Sequence, residues 1–340
     1  MDPAEPRSGG GREETAKRQP RVSVVVPFLD EERNIDPLYE RLVGPLRSES
    51  SSYEIIFVDD GSTDGSRDRV LELHGRDPGV KLISLSRNHG HQIALTAGLD
   101  RATGDVVVTM DADLQHPPEE LPRFIEKWRE GYDIVHGVKT GIGGRGPLKA
   151  LLAFLYYPLM RKIARTEIVP HASDYRLLSK RAVRALGSMR ERARFLRGMT
   201  TWVGFRSTTL PFDTAPRHAG VPKYTLRRQI QLGFWGVVSF STFPLHLSMY
   251  LGLLTGALCL AYAAYAIYEH ILGVTIQGWT SLMVVMLFLG SVQLVFLGVL
   301  GMYLGRVFEE VRQRPLYVIQ ESLGFDESTD LTTPSPSPGA

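Results

Sequence analysis

In the 340-residue sequence the apolar run from Val106 to Met110 ends in Asp111-Ala112-Asp113-Leu114-Gln115. Two carboxylates spaced by one residue after a strand can converge on one side of a turning backbone. With the Gln115 carbonyl as a third oxygen they suit a hard cation, Mg2+ or Mn2+, that completes its shell with substrate phosphates. Asp-x-Asp is also common in solvated turns, and the apolar strand before it favours the metal reading. A second acidic turn, Asp59-Asp60-Gly61-Ser62-Thr63-Asp64-Gly65, follows another apolar run. Gly61 and Gly65 permit a tight backbone path close to a ligand. Asp59 and Asp60 read as ligand contacts that accept from a base or ribose, and Asp64 and Ser66 as caps of the next helix. A third turn, Pro27-Phe28-Leu29-Asp30-Glu31-Glu32, follows the first apolar run.

These turns need a frame that brings them together. Short β-branched runs at Val22 to Pro27, Glu54 to Asp59, Val80 to Leu85, Asp105 to Met110 and Tyr132 to His136 alternate with helical patterns that start near Glu31, Gly65, Gly90 and Pro118. That alternation predicts an α/β fold with a mostly parallel sheet covered by helices. Ligands bind such sheets at the carboxyl ends of the strands, where Asp30, Glu31, Asp59, Asp60, Asp111 and Asp113 all fall.

The three turns together resemble glycosyltransferase family 2, over nearly the whole chain. Ser86-Arg87-Asn88-His89-Gly90, the Asp111 to Glu119 stretch, Asp174-Tyr175-Arg176-Leu177, Trp202-Val203-Gly204-Phe205 and Arg217-His218-Ala219-Gly220 through Lys223-Tyr224 are similar to the branch that acts on polyprenyl phosphates. The resemblance implies a GT-A type nucleotide-sugar-binding domain and inverting transfer of one sugar, from a UDP-sugar or GDP-mannose, to a polyisoprenyl phosphate such as undecaprenyl phosphate. It implies that Pro27, Asp30, Glu31, Asp59 and Asp60, with Gly61, Ala112 and Arg176 beside them, bind the donor. Asp111, Asp113 and Gln115 would hold the metal and diphosphate, and Arg217 and Lys223 would meet phosphates. Two features depart from the branch: Pro222 stands where Ser is usual before the Lys, and Lys139 to Arg145 is loosened by glycines. An acceptor phosphate with a second pKa near ~6 is already largely dianionic at neutral pH, so Asp174 is expected to orient Arg176 or the acceptor rather than act as base.

Gly141-Ile142-Gly143-Gly144-Arg145-Gly146 matches the dinucleotide fingerprint formally. It opens no βαβ unit, and Arg161, Lys162 and Arg165 stand where an acidic residue is needed, so an NAD-dependent oxidoreductase is rejected. The loop reads as a flap carrying Lys139, Arg145 and Lys149, or as a mobile linker. The nine histidines, among them His89, His91, His116 and His171, show no metal-ligand spacing and read as surface or packing residues. The single cysteine, Cys259, excludes an intramolecular disulfide.

Apolar residues concentrate after position 233. Thr242 to Tyr268 and Trp279 to Leu304 are each long enough to cross a ~30 Å hydrocarbon core, which takes about 20 residues. Lys223, Arg227 and Arg228 precede the first span and Arg306, Arg312 and Arg314 follow the second, which puts both flanks on the cytoplasmic side of an inner membrane. Gly252-x-x-x-Gly256 and Gly301-x-x-x-Gly305 allow close packing within the chain or in a homo-oligomer. Tyr224 to Ser241 reads as a juxtamembrane interfacial helix, and Leu151 to Ile163 as either an interfacial or a buried helix. Basic residues between Arg176 and Arg228 read as facing anionic lipid or phosphates, or as a solvated face. Residues 1 to 20 and the Pro-rich end from Ser328 read as disordered, so residues 21–222 form the catalytic domain and 305–340 a cytoplasmic tail. The net charge of +2 decides little, and no nucleic-acid partner is expected. A processive polysaccharide synthase needs a channel that two spans do not form. A silent membrane scaffold or flippase partner is the remaining alternative, and metal-dependent transfer separates the two.

Overall fold

The structure is a computed structural model that describes residues 19–140, 172–192, 194–214, 243–272 and 278–325. The flap at 141–150, Leu151 to Ile163, His171, Arg217, Pro222, Lys223, Tyr224 to Ser241 and both outer tails lie outside the described residues. The chain divides into two compact units, one containing Pro158–Arg165 and Tyr224–Arg314 and the other containing the rest.

In the larger unit the order is β1 (Arg21–Phe28), α1 (Glu32–Glu49), β2 (Ser52–Asp59), α2 (Ser66–Arg76), β3 (Val80–Leu85), α3 (His91–Arg101) and β4 (Val106–Thr109). A 3-10 turn at Pro118–Glu120 leads into α4 (Leu121–Arg129), then β5 (Ile134–Thr140), β6 (Ala172–Ser179), α5 (Lys180–Ser188), α6 (Leu196–Trp202) and β7 (Ser207–Asp213). The chain returns after the second unit as β8 (Ile319–Leu323). The eight-stranded sheet runs β7-β5-β6-β4-β1-β2-β3-β8. Its centre, β4-β1-β2-β3, is parallel, as is β5 with β7, whereas β6 is antiparallel to both its neighbours and β8 to β3.

The period of two along each strand divides the core. Val22, Val24, Val26, Ile55 and Phe57 face α1, α2 and α4, while Val25, Ile56, Val58 and Ile83 face α3, α5 and α6. Buried on both faces, these strands read as continuous apolar runs, which is how the sequence revealed them. The parallel centre puts the ends of β1, β2 and β4 on one edge of the sheet. Because β6 is antiparallel to β4, pairing Thr109 with Arg176, its beginning lies at that same edge.

Residues 319–323 correct the reading of everything after 305 as tail. Ile319 and Leu323 pack on the sheet, and Phe325 receives Lys81 Nζ 4.9 Å above its ring centroid. Tyr317 Oη donates to Asp100 at 2.8 Å, Arg67 pairs with Glu321, and Ser86 N donates to Val318 O at 2.9 Å. Truncation after Arg314 is therefore expected to bare the β3 edge and to cost about 3–5 kcal/mol, the worth of several partly buried apolar side chains. Urea unfolding of the full and truncated chains measures this directly.

The second unit contains α7 (Phe243–Ile271) and α8 (Trp279–Val311). Among the described residues one stretch, Phe288–Val311, is long and apolar enough to cross a membrane, and none of it is buried. The apolar stretch Met249–Tyr262 within α7 is shorter. A Cβ added at Gly252 would lie 3.5 Å from the Phe296 ring, so one small residue of the first glycine pair does sit at the contact between the two helices.

Candidate active site

The Asp-x-Asp turn is built on buried neighbours. Met110, Ala112 and Leu114 are all at most 3% exposed, and Leu114 adopts φ 62°, which costs a side-chain-bearing residue about 1–2 kcal/mol. That bend returns the Gln115 amide to Asp113 Oδ1 at 3.2 Å. His116, fully buried, accepts the Asp111 N–H on Nδ1 at 3.0 Å. Its ring stacks on Tyr175 of β6 with centroids 5.1 Å apart, and the Tyr175 hydroxyl donates to Pro117 O at 2.9 Å. Burial pushes the His116 pKa down, so the ring is neutral and works as packing, as the sequence reading has it.

Asp174, at the start of β6, is 7% exposed. Its Oδ1 accepts from Arg176 Nη2 at 2.8 Å and Arg197 Nε at 3.3 Å, and its Oδ2 from Arg197 Nη2 at 3.2 Å and Gln92 Nε2 at 3.3 Å. Burial alone would raise its pKa. The hydrogen bond from His91 and the charges of Arg197, Arg176 and His91 outweigh burial and hold the carboxyl well below the usual carboxylate range. His91, the first residue of α3, places Nε2 3.4 Å from Asp174 Oδ2 and 3.3 Å from Asp111 Oδ1. Desolvation lowers its pKa, but the hydrogen bond to Asp174 and the two carboxylate charges raise it above the ordinary imidazole value.

Arg176 is buried beside Asp174. Its side chain is 3% exposed, and Nη2 is held by Asp174 and by Ser173 O at 3.1 Å. Its cross-strand neighbour His136 is buried and held at a pKa of about 4, first by burial and then by the Arg176 charge. In the structure Arg176 is the buried counter-ion of Asp174. The two oxygens of Asp60 accept the His89 and Gly90 amides at 2.7 and 2.9 Å, fixing the Ser86–Gly90 loop. Burial, outweighing those amides, raises its pKa. Asp59 closes its own turn by accepting the Ser62 amide at 2.8 Å. Asp30, at φ 53° just after β1, accepts the Thr63 amide at 2.7 Å, and Glu31 accepts from Asn34 Nδ2 at 2.6 Å. Pro27 lies in β1 beside Val58. Asp64 accepts from the Ser66 amide and hydroxyl at the start of α2, whose N-cap is Gly65.

Gly61 has φ 82°, and a Cβ there would lie 2.9 Å from Asn88 N. Gly61→Ala is expected to destabilise the fold by about 1–3 kcal/mol, because both the left-handed backbone and the loop contact resist a side chain. Differential scanning fluorimetry of the two proteins tests this.

Among the described residues no group of three or more His, Cys, Asp and Glu side chains is arranged to hold a metal. Asp111 and Asp113 nevertheless fit a hard divalent cation. Asp111 Oδ1 is buried and makes no hydrogen bond; the His91 ring nitrogen 3.3 Å away is its charged neighbour, and its remaining acceptor capacity suits a cation. The Gln115 side-chain oxygen accepts from Lys139 Nζ at 3.4 Å, which brings one lysine of the expected flap to this turn.

The structure thus gathers Asp111, Asp113, Gln115 and Asp174 at one sheet edge and adds three residues that sequence reasoning missed. His91 was read as surface or packing, and Gln92 and Arg197 passed unnoticed. Arg197 lies 23 positions from Asp174, and no spacing signals a contact made between a helix and a strand so far apart in the chain.

Residues 23–187 match glycosyl transferase family 2. The chain is 41% identical over 306 residues to an uncharacterized glycosyltransferase, sll0501, of Synechocystis, covering 90% of this chain and 96% of that one. It is 38% identical over 303 residues to the SfII prophage-derived bactoprenol glucosyl transferase of Shigella flexneri, covering 89% and 98%. Among solved structures it is similar to glucosyl-3-phosphoglycerate synthase of Mycobacterium tuberculosis in complex with Mn2+, uridine-diphosphate and phosphoglyceric acid, at 20% identity, 68% and 82% coverage and a TM-score of 0.47. With 35–41% identity to named glycosyltransferases over most of its length, and with the acidic turns of the family on the carboxyl edge of its sheet, the chain belongs to glycosyl transferase family 2.

Proposed function

We propose that the protein transfers one sugar, with inversion, from a nucleotide-sugar to a polyisoprenyl phosphate such as undecaprenyl phosphate. A UDP-sugar is the favoured donor. The observation that carries the reading is the meeting, at one edge of the sheet, of the Asp111–Asp113 turn with an Asp174 carboxylate ringed by His91, Arg176 and Arg197. The relatives named bactoprenol glucosyl transferase support the acceptor class.

Asp111 and Asp113 would hold Mg2+ or Mn2+, with Gln115 beside them; the cation supplies charge neutralisation to the leaving diphosphate. An acceptor phosphate oxygen forms the new bond to the anomeric carbon as the bond to the nucleoside diphosphate breaks, so one diphosphate leaves for each sugar moved. Asp174, locked in its ionised state by cations, holds Arg197 in place rather than taking a proton. Pro27, Asp30, Glu31 and Asp59 line the nucleoside side, and Arg217 and Lys223 are assigned to phosphates. What these groups contribute is mainly positioning and electrostatics. α7 and α8 are proposed as two spans of the cytoplasmic membrane with the catalytic unit on the cytoplasmic face and Tyr224 to Ser241 along the interface; their exposed apolar surface supports this. The small residues of those helices support a homo-oligomer.

The test incubates detergent-purified protein with undecaprenyl phosphate and radiolabelled UDP- and GDP-sugars, with Mg2+, Mn2+ or EDTA. One donor should move label into the organic phase, and EDTA should stop it. Protein that binds nucleotide and transfers from no donor returns the scaffold reading.

A further inference from the structure

The N-terminal turn of α3 is set by packing rather than by its own sequence. A Cβ on Gly98, two turns along, would come within 2.3 Å of Val25 Cγ1, so the helix lies directly on β1. In its first turn Gln92 accepts the Leu196 amide on Oε1 at 3.2 Å and donates to Asp174 from Nε2 at 3.3 Å, tying α3 to α6 and β6. The preceding Gly90 is held by Asp60. His91 is thereby carried to one place, with Nε2 3.3 Å from Asp111 Oδ1 and 3.4 Å from Asp174 Oδ2. One of these carboxylates lies in β6 and the other just past the end of its antiparallel neighbour β4, and they repel each other. An imidazole between them is a spacer with a defined length.

We propose that His91 is a positioning residue for the transfer reaction: its imidazole, lodged between Asp111 and Asp174, sets the separation between the donor-side carboxylate turn and the Asp174–Arg197 pair that faces the acceptor. The inference rests on the function proposed above. Asp111 and Asp113 would still bind the cation and nucleotide without His91, but the two half-sites would lose their mutual register. Misplacement of reacting groups by about 1 Å costs on the order of 10²-fold in rate.

The experiment uses the full chain in detergent. His91→Ala and His91→Gln are compared with the unmodified protein for two-substrate kinetics, for slow hydrolysis of the donor in the absence of acceptor, and for Mn2+ binding with UDP, read from the free-Mn2+ electron paramagnetic resonance signal. His91→Ala is expected to lower the kcat of transfer by about 10²-fold while donor KM, donor hydrolysis and Mn2+ binding change by less than about threefold. His91→Gln, whose amide can donate to both carboxylates, is expected to recover about tenfold of that loss. The inference is overturned if His91→Ala transfers within about threefold of the unmodified protein, if it loses Mn2+ binding as fully as Asp113→Ala, or if Gln recovers nothing. If the unmodified protein transfers no sugar to any polyisoprenyl phosphate, the functional reading fails and this inference falls with it. Intact transfer with an unaffected His91→Ala sinks this inference alone.

Discussion

Asp113→Ala is expected to lower kcat/KM for sugar transfer by about 10³-fold, the equivalent of about 4 kcal/mol of lost transition-state stabilisation. Asp113 is 8% exposed and anchors the turn by accepting the Gln115 amide at 3.2 Å. Alanine therefore removes both a charge and a turn contact. Asp113→Asn separates the two, since its amide oxygen still accepts from Gln115 while the charge is gone. If the carboxylate serves as a cation ligand, Asn should lose nearly as much as Ala and should bind Mn2+ weakly in the presence of UDP. An Asn variant that transfers at the unmodified rate would reduce Asp113 to a turn residue. The aromatic bracket of His116 and Tyr175 keeps the rest of the turn in place in either variant.

The second large effect is at Asp174, where Asp174→Asn removes the carboxylate paired with the fully buried Arg176 and leaves the weaker influence of Asp111. Breaking a buried pair from one side costs about 3–5 kcal/mol, so a fall in unfolding free energy of that size is expected at pH 7. The pH dependence follows from the direction of the shift. The folded-state pKa is depressed, so the contribution of the carboxylate is complete above the unfolded value near ~3.9 and is lost as pH falls through the folded one. Urea unfolding should show a gap between the two proteins that narrows below about pH 4, and narrows also above about pH 6.5 as the His91 imidazolium that Asp174 stabilises loses its proton. Transfer should fall by about 10²-fold, because Arg197 loses the carboxylate that orients it. The acid limb of the rate profile should keep its position, since a carboxylate already ionised across the assay range contributes no limb. A lost or shifted acid limb would make Asp174 a base and overturn the orienting role.

Local signals were strong wherever chemistry and secondary structure coincide. Val22 to Pro27, Glu54 to Asp59 and Val80 to Leu85 became β1, β2 and β3 within a few residues, because strands buried on both faces must be continuously apolar. The acidic turns after β1, β2 and β4 then fell on one edge, as parallel pairing requires. The weaker signals belong to segments that alternate with polar residues or lie far apart. β7 alternates exposed and buried positions and carries Pro211, and β8 joins β3 across more than 230 residues of chain.

Which residues carry charge to the sheet edge, and which stretches of the C-terminal third are apolar, depend only on residue type and local period and are legible along the chain. The tertiary structure decided how those charges are used. Asp60 is committed to the Ser86–Gly90 loop, Arg176 is buried behind Asp174, and His91 stands between Asp111 and Asp174. Each depends on distances between side chains from different elements. Such distances are set by strand direction, by helices packed onto the sheet and by the desolvation that burial imposes, and none of these is a function of spacing along the chain.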